Sequence, residues 1–499
     1  MVVGTTTAPA GAAAGSQQAQ SPGSAASQCA ALGANGGDTF ETLKGAPTFI
    51  TSASLTTTGT GKQAVTQCTV NGYVAPSDTF IVQLPVTGWN GMLEANGSHG
   101  LGGAYYLNEC APFLGKGYAT VANSLGHVDP GLNGGFAYNN PQADVDFAYR
   151  ATHVTTVAAK AIIQKYYGAA PRESYFSGCS EGGRQGLVEA ERYPTDFNGI
   201  IAGSAFPYWS TIIGYDSIYT DAVNRDAAGR TILTTDKLPV LHKAALNSCG
   251  AVDGTITDPE NCDFDPAVAQ CPATNPNGAD CLSAAQVAVA RKFYGPVRDS
   301  HGRAITSYGS NEPGSELAWT SRINDTGGTS LEAGIGLQFD RYMAFPRDPG
   351  PTFQENDFNF DTDPARFKAM ASLYNASPDL RAFRRHGGKL IMWSGWADQA
   401  SPPAATVNFY HSVVADDGGA TAAQGSVRLF MVPGEYHCSG GTGPQLVSAS
   451  FADLLNTWVT TGRAPQTVTA VQTNSAGQVT ATRAIHPYPL APDRQVKKG

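Results

Sequence analysis

A five-residue motif at residues 178–182 (GCSEG) places the tightest constraint on how this chain can fold. A strand-like stretch at Tyr175-Phe176 precedes it, and a helix-like segment follows as far as Tyr193, before Pro194. Small glycines permit a strained turn, and the turn lifts the serine hydroxyl above the edge of a sheet. The motif alone is weak, but its place between a strand and a helix predicts such an elbow at Ser180.

Other strand-like and helix-like stretches alternate on both sides of the elbow. The predicted strands include 76–85, 92–95, 118–122, 389–394 and 427–432, and the predicted helices include 144–167, 404–414 and 451–458. This alternation predicts an α/β protein whose mostly parallel sheet is covered by helices on both faces. Together with the elbow, it predicts an α/β-hydrolase core.

The alternation fades between residues 204 and 386, which predicts a large insertion in the sheet domain. The catalytic domain is then expected to comprise residues 29–203 and 387–499. Residues 1–28 are rich in Ala, Gly, Ser and Gln, and they lack the basic and apolar regions of a signal peptide. They are expected to form a disordered tail.

The charge balance narrows the possible partners. The chain has 32 basic and 41 acidic residues, hence a net charge of −9. Nucleic acids and anionic membrane surfaces both attract cationic proteins, so neither is an expected partner. No apolar run reaches the roughly 18 residues of a membrane span.

The chain has nine cysteines, a number that does not by itself establish disulfides in a chain this long. Scattered buried thiols are one alternative, but the spacing of the cysteines favours disulfides. Four of them fall within a loop-like stretch, where the short disulfides Cys249–Cys262 and Cys271–Cys281 would stabilise a region poor in apolar residues. A zinc site is the alternative, but the stretch contains no CxxC pair and no histidine. Disulfides are therefore favoured, and they predict a secreted or periplasmic protein. The odd number leaves one thiol unpaired, for which Cys110 is the candidate.

A serine nucleophile needs a general base and a carboxylate that orients the base. In this fold these residues follow the serine in the order Asp, then His, each on a loop after a strand. Asp398 follows the predicted strand 389–394, and His437 follows 427–432. The predicted triad is therefore Ser180, Asp398 and His437.

Two cysteines flank this triad. Cys179 directly precedes the serine and Cys438 directly follows the histidine. If Ser180 and His437 touch, their neighbours come within disulfide range, so a Cys179–Cys438 bond is predicted. Two unrelated buried thiols are the alternative.

Several segments resemble the tannase and feruloyl esterase family. The resemblance covers about residues 29 to 465, and it is carried by 175–187 (YFSGCSEGGRQGL), 89–91 (WNG), 146–153 (DFAYRATH) and 193–199 (YPTDFNG). The Cys-Ser, Asp and His-Cys arrangement is the family's hallmark. The resemblance implies a lid inserted between the catalytic Ser and Asp, small esters of aromatic acids as substrates, and the pair Cys29–Cys68. It also supports the two lid pairs. The family includes mono(2-hydroxyethyl) terephthalate hydrolase, so a terephthalate-monoester esterase is the alternative.

The oxyanion of the reaction needs two backbone N–H donors. Glu181, the residue after the nucleophile, is one expected donor. Gly97, in the glycine-rich turn after 92–95, is the other, with Asn96 and Ser98 as its neighbours.

The mechanism requires no cofactor, but the family often carries a calcium loop that begins at the first lid cysteine. Here Gly250 stands where the first Asp would be, and the loop is shortened. Asp253 and Asp258 are the remaining candidate ligands for a structural calcium ion, which needs 6–8 oxygen atoms. An acidic, solvated turn is the alternative.

Substrate choice depends on the lid. Trp319, Arg341, Tyr342 and Phe345 are candidate pocket residues, each with simple packing as the alternative. Two other functions remain open: a catalytically silent protein that binds phenolic esters, and a lipase, which the polar, cysteine-rich lid disfavours.

Overall fold

A nine-stranded sheet runs through the protein, in the order β1-β2-β3-β5-β4-β6-β7-β8-β9. The computed structural model describes residues 22–34, 40–61, 64–129 and 131–489. In the order of the sheet, the neighbouring strands β5, β4, β6, β7, β8 and β9 are parallel to one another. The pairs β1–β2, β2–β3 and β3–β5 are antiparallel. The strands are β1 (Thr48–Thr58), β2 (Val65–Val74), β3 (Asp78–Pro85), β4 (Met92–Asn96), β5 (Ala119–Asn123), β6 (Glu173–Cys179), β7 (Gly199–Gly203), β8 (Lys389–Gly395) and β9 (Val427–Val432).

Helices cover both faces of this sheet. In chain order they are α1 (Pro22–Ala34), α2 (Leu107–Leu114), α3 (Pro141–Val145), α4 (Ala151–Tyr167), α5 (Glu181–Arg192), α6 (Trp209–Thr211), α7 (Ser217–Val223), α8 (Leu238–Ser248), α9 (Ala284–Tyr294), α10 (Leu331–Tyr342), α11 (Asp363–Arg366), α12 (Lys368–Tyr374), α13 (Arg381–Arg385), α14 (Pro403–Asp416), α15 (Ala420–Ala423) and α16 (Ala452–Thr461). Residues from α1, α4, α5 and α14 pack on one face, and residues from α2 and α16 pack on the other. The predicted α/β class with a mostly parallel sheet is confirmed.

The amino-terminal boundary differs from the prediction. Residues 1–21 lie outside the described part of the chain, but residues 22–28 belong to helix α1 and not to a disordered tail. Cys29 and Leu32 of this helix are buried in the core, and a disulfide joins Cys29 to Cys68 of β2. The side-chain amide of Gln28 also donates to the Tyr166 carbonyl oxygen at 2.6 Å. These contacts stabilise the helix against the sheet domain.

A long insertion separates β7 from β8. It contains helices α6 to α13 and one buried apolar cluster of its own. A second buried cluster packs the insertion against residues of the sheet domain such as Phe147 and Ala405. The disulfides Cys249–Cys262 and Cys271–Cys281 close two of its loops. A small antiparallel hairpin, β10 (Val468–Thr473) and β11 (Val479–Ile485), follows the sheet domain. Within the described ranges, no helix is both long and apolar enough to cross a bilayer.

Candidate active site

The elbow at Ser180 forms because glycines surround it. Ser180 joins β6 to α5 with φ 66° and ψ −126°, a backbone conformation that L-residues rarely adopt. A Cβ atom at Gly178 would lie 2.6 Å from the carbonyl carbon of Gly182, which leaves no space for a side chain. The Ser180 N–H donates to the Gly203 carbonyl oxygen at 3.0 Å, so β7 also holds the turn. The strained turn presents the serine hydroxyl at the carboxyl edge of the sheet.

Three side chains meet at this edge in one hydrogen-bonded chain. His437 Nε2 lies 2.9 Å from Ser180 Oγ, and His437 Nδ1 lies 3.0 Å from each oxygen of Asp398. Asp398 follows β8 and His437 follows β9, as the topology requires. The site is nearly closed to solvent, since Ser180 is 7% exposed and the Asp398 side chain is fully buried.

The loop after β8 orients the Asp398 carboxylate. The N–H groups of Ala400 and Ser401 donate to its Oδ1 at 2.9 and 2.8 Å. The side-chain oxygen of Gln399 accepts the backbone N–H of His437 at 3.3 Å. The Asp398 loop therefore holds both the imidazole ring and the backbone of the histidine.

A disulfide joins the elbow to the histidine loop. Cys179 and Cys438 are bonded, with their Cα atoms 5.9 Å apart. Cys438 has φ 60°, which turns the chain sharply just after His437. The free thiol among the described cysteines is Cys110, which is buried. A surface pocket of about 360 Å³ borders the disulfide, and none of the three triad side chains lines it.

Neighbouring charges set the proton affinity of His437. Burial pushes the pKa of His437 down, but the Asp398 carboxylate outweighs burial through its charge and its hydrogen bond, with a further contribution from Glu332. The net effect holds the pKa of His437 above its ordinary value. Glu332 belongs to α10 in the insertion and is buried, and burial raises the pKa of its own carboxyl group.

The carboxylate of Glu181 has a structural role. It forms a fully buried ion pair with Arg184, whose Nε lies 2.7 Å from Glu181 Oε2. Arg184 also donates to the backbone carbonyl oxygens of Phe147, Ala148 and Tyr374. The pair therefore connects helix α5 to the chain before α4 and to the insertion. As the first residue of α5, Glu181 keeps a backbone N–H without an intrahelical acceptor.

The structure corrects the expected role of Gly97. Its N–H donates to the Ser177 carbonyl oxygen at 2.9 Å, which continues the β4–β6 pairing by one residue. That N–H is therefore not available to an oxyanion. The turn still approaches the elbow closely, because a Cβ atom at Gly97 would lie 2.5 Å from the Gly182 Cα atom. Ser98, the next residue, is buried, and its carbonyl oxygen also faces Gly182.

The candidate calcium ligands do not fit calcium. Asp253 is exposed in a tight turn in which Val252 and Thr255 exchange backbone hydrogen bonds. The Asp258 carboxylate is also exposed and accepts the side-chain amide of Asn261 at 2.8 and 3.0 Å. Across the described ranges, no group of three or more His, Cys, Asp or Glu side chains could hold a metal ion. Two exposed carboxylates supply too few oxygen ligands, so Asp253 and Asp258 as they lie here do not form a calcium site by themselves.

Among the insertion residues, Trp319 is a predicted pocket residue, whereas the sequence assigns Phe206 and Arg322 no role at the site. Trp319 packs against Phe293 inside the insertion, with ring centroids 5.1 Å apart, so packing is its role. Phe206, three residues after the end of β7, lies against the His437 ring at 5.4 Å between centroids. Arg322 is 1% exposed and donates its Nε to the Gln399 carbonyl oxygen. Since these contacts join residues far apart in the chain, no local sequence pattern marks them.

Known proteins similar to this chain are esterases and hydrolases. The sequence profile described as tannase and feruloyl esterase matches residues 62–497. An uncharacterised esterase of Xanthomonas campestris is 32% identical over 474 residues, covering 85% of this chain and 81% of that protein. The mono(2-hydroxyethyl) terephthalate hydrolase of Piscinibacter sakaiensis is 30% identical over 479 residues, covering 82% and 78%.

A solved structure shows the same fold. The crystal structure of an esterase from Aspergillus oryzae superposes with a TM-score of 0.81, covering 93% of this chain and 96% of that one, at 24% identity. The likeness at this identity concerns the fold, and it confirms the predicted α/β-hydrolase architecture.

Proposed function

This chain belongs to the tannase and feruloyl esterase family and is a carboxylic ester hydrolase, and we propose that it hydrolyses small esters of aromatic acids through Ser180, His437 and Asp398. The hydrogen-bonded chain that connects these three side chains carries the proposal. The same three residues follow the order of a serine-hydrolase triad on this fold.

In the proposed mechanism, His437 Nε2 takes the proton of Ser180 as the hydroxyl oxygen attacks the ester carbonyl. Asp398 holds Nδ1 and stabilises the imidazolium that forms. The same proton then passes to the leaving alcohol, which leaves an acyl-enzyme. Water enters, His437 removes its proton, and hydrolysis releases the acid and restores Ser180.

Two backbone amides are proposed to stabilise the oxyanion of each tetrahedral intermediate. The Glu181 N–H at the start of α5 is the first, because a helix start offers unpaired donors and a favourable dipole. The Ser98 N–H replaces that of Gly97 as the second, since the turn at Ser98 packs against the elbow. A donor of this kind contributes about 10²- to 10³-fold to kcat.

An uncharged aromatic acyl group fits the surroundings better than a free carboxylate. Phe206 lies against His437, and Trp209 lies against Phe206 with centroids 5.6 Å apart.

A terephthalate monoester needs a cation for its second carboxylate. Arg322, however, donates to Gln399, Thr220 and Asp216. Arg341 donates instead to the Phe353 carbonyl oxygen and Gln354. These observations favour feruloyl- or galloyl-type esters over the terephthalate alternative.

Secretion to an oxidising compartment is part of the proposal. Four disulfides join cysteines in the described residues, and such bonds persist outside the reducing cytosol.

Steady-state hydrolysis of methyl ferulate, methyl gallate, a terephthalate monoester and p-nitrophenyl butyrate tests the proposal, with Ser180→Ala as the control. We expect one phenolic ester to have the highest kcat/KM and the Ser180→Ala variant to lose turnover. A variant that retains turnover would exclude the triad. An intact enzyme that prefers the terephthalate monoester would replace the phenolic assignment. Binding of phenolic esters without turnover by the intact protein would indicate a catalytically silent binder.

A further inference from the structure

Arg322 belongs to the insertion but contacts the loop that bears Asp398. It directly follows the six-residue 3₁₀ segment Glu316–Ser321, and 1% of its surface is exposed. A guanidinium is rarely buried so completely without a specific set of acceptors. Here one acceptor is the carbonyl oxygen of Gln399, the residue directly after Asp398.

The peptide group between Gln399 and Ala400 is hydrogen bonded at both ends. Its carbonyl oxygen accepts from Arg322 Nε, and its N–H donates to Asp398 Oδ1 at 2.9 Å. A charged donor on the oxygen of a peptide polarises that peptide and makes its N–H a stronger donor. Hydrogen bonds therefore run in one unbroken chain from Arg322 through this peptide and Asp398 to His437 and Ser180.

Other groups fix the guanidinium in place. Nη1 donates to Thr220 Oγ1 at 3.2 Å, and Nη2 lies 3.5 Å from Asp216 Oδ2. Asp216 is fully buried and accepts the hydroxyl of Ser310 on its other oxygen. Both Thr220 and Asp216 belong to the insertion, so the insertion holds the arginine and the arginine holds the loop of the sheet domain.

The charged groups around His437 define how this arrangement affects its titration. Asp398 and Glu332 stabilise the imidazolium, whereas Arg322 disfavours it. Arg322 in turn faces Asp216 and Glu332. Glu435, on the loop after β9, is buried near Asp398, and burial raises the pKa of its carboxyl group well above the usual range.

We propose that Arg322 is a positioning residue for the triad, which holds the Gln399–Ala400 peptide in the orientation that binds the Asp398 carboxylate. The inference rests on the proposed role of Ser180, His437 and Asp398. It assigns to the insertion a second task beside covering the substrate, because the insertion aligns the carboxylate that orients the base.

Three variants separate this role from simple packing. Arg322→Met removes the charge and the hydrogen bonds but keeps the aliphatic stem, and Arg322→Lys keeps the charge without the planar fork. Arg225→Met is the matched control, because Arg225 also lies in the insertion, pairs with an aspartate, Asp221, and donates to a backbone carbonyl oxygen, that of Gly328. Chemical unfolding, kcat, KM and the pH profile of kcat/KM are measured for each with the best ester from the panel.

For Arg322→Met we expect kcat to fall about 10- to 100-fold, because this is the effect of losing one hydrogen bond that involves a charged group. We expect only a small change in KM. The acid limb of kcat/KM moves to higher pH, because loss of the positive charge raises the pKa of His437 further. Arg322→Lys leaves the limb in place and restores part of kcat. Arg225→Met matches the unsubstituted enzyme in both respects.

Either of two results would overturn the inference. One is a kcat of Arg322→Met within about twofold of the unsubstituted enzyme. The other is an equal loss of kcat in Arg322→Met and Arg225→Met with no shift of the acid limb of kcat/KM. If the methionine variant does not fold, Arg322→Lys decides, since unchanged kcat in that variant contradicts the proposed geometry. Retained turnover in Ser180→Ala would instead overturn the proposed triad, independently of Arg322.

Discussion

Removal of the Cys179–Cys438 disulfide is expected to damage stability and catalysis together. The bond joins residues 259 positions apart, whereas Cys271–Cys281 in the insertion joins residues 10 apart. In the chain-entropy description, the longer loop stabilises the fold by about 5.6 kcal/mol and the shorter by about 2.7 kcal/mol. The difference, about 3 kcal/mol, is large against a typical total stability of about 5 to 15 kcal/mol.

The catalytic consequence follows from the position of the bond. Cys179 precedes Ser180, Cys438 follows His437, and the His437 Nε2 to Ser180 Oγ distance is 2.9 Å. Without the bond, the histidine loop is free to move away from the elbow. A displacement of about 1 Å is enough to reduce kcat about 100-fold. The Cys271–Cys281 disulfide lies in the insertion and is adjacent in sequence to none of the three triad residues, so its removal leaves kcat largely unchanged.

The assay compares a Cys179→Ala/Cys438→Ala variant with a Cys271→Ala/Cys281→Ala variant. Guanidinium unfolding gives the free energy of unfolding of each, and p-nitrophenyl butyrate hydrolysis at low temperature gives kcat of the folded protein. Equal losses of stability in the two variants would refute the loop-length reasoning. A Cys179→Ala/Cys438→Ala variant with unchanged kcat would refute the alignment reasoning.

Three further predictions concern the site and the insertion. Because catalysis needs neutral His437 and its pKa is raised, kcat/KM falls with decreasing pH through a limb above the ordinary value of 6.5, which a pH–rate profile measures; a limb below that value contradicts the proposed base. Gly97→Ala places a Cβ atom 2.5 Å from the Gly182 Cα atom, and because this displaces the elbow it is expected to lower kcat about 100-fold. Gly334→Ala serves as the neutral control in the same assay, since no atom lies within 4 Å of its Cβ position. A chelator such as EDTA leaves kcat and the unfolding midpoint unchanged, because the loop after Cys249 offers too few ligands; a lowered midpoint restored by calcium would contradict this.

The sequence predicts the parts of this fold that local pattern determines. The elbow, the strands β8 and β9 and the order of the three triad residues follow from glycine placement, apolar runs and chain order. Strand β1 is missed because its residues are mostly exposed or half-buried and rich in threonine, so no apolar alternation marks it. The predicted helix 144–167 contains a π-helical turn at Asp146–Arg150, which apolar periodicity does not reveal.

Contacts between distant segments explain the remaining differences. The pairing of β4 with β6 occupies the Gly97 N–H, and that pairing exists only in the folded sheet. Packing of α1 against the core orders residues 22–28, although their composition is typical of a tail. Arg322 and Gln399 lie 77 positions apart, so their contact depends on how the insertion folds back over the sheet.

Two connections of different kinds converge on the proposed catalytic triad. A covalent bond fixes the histidine loop to the elbow, and a buried guanidinium fixes the aspartate loop to the insertion. The three triad residues come from three separate loops, so each loop needs its own constraint to keep Ser180, His437 and Asp398 aligned to within a few tenths of an ångström. Of these constraints, the one on Asp398 comes from outside the sheet domain. If Arg322 acts as proposed, sequence changes in the insertion that alter substrate choice must preserve its contact with Gln399.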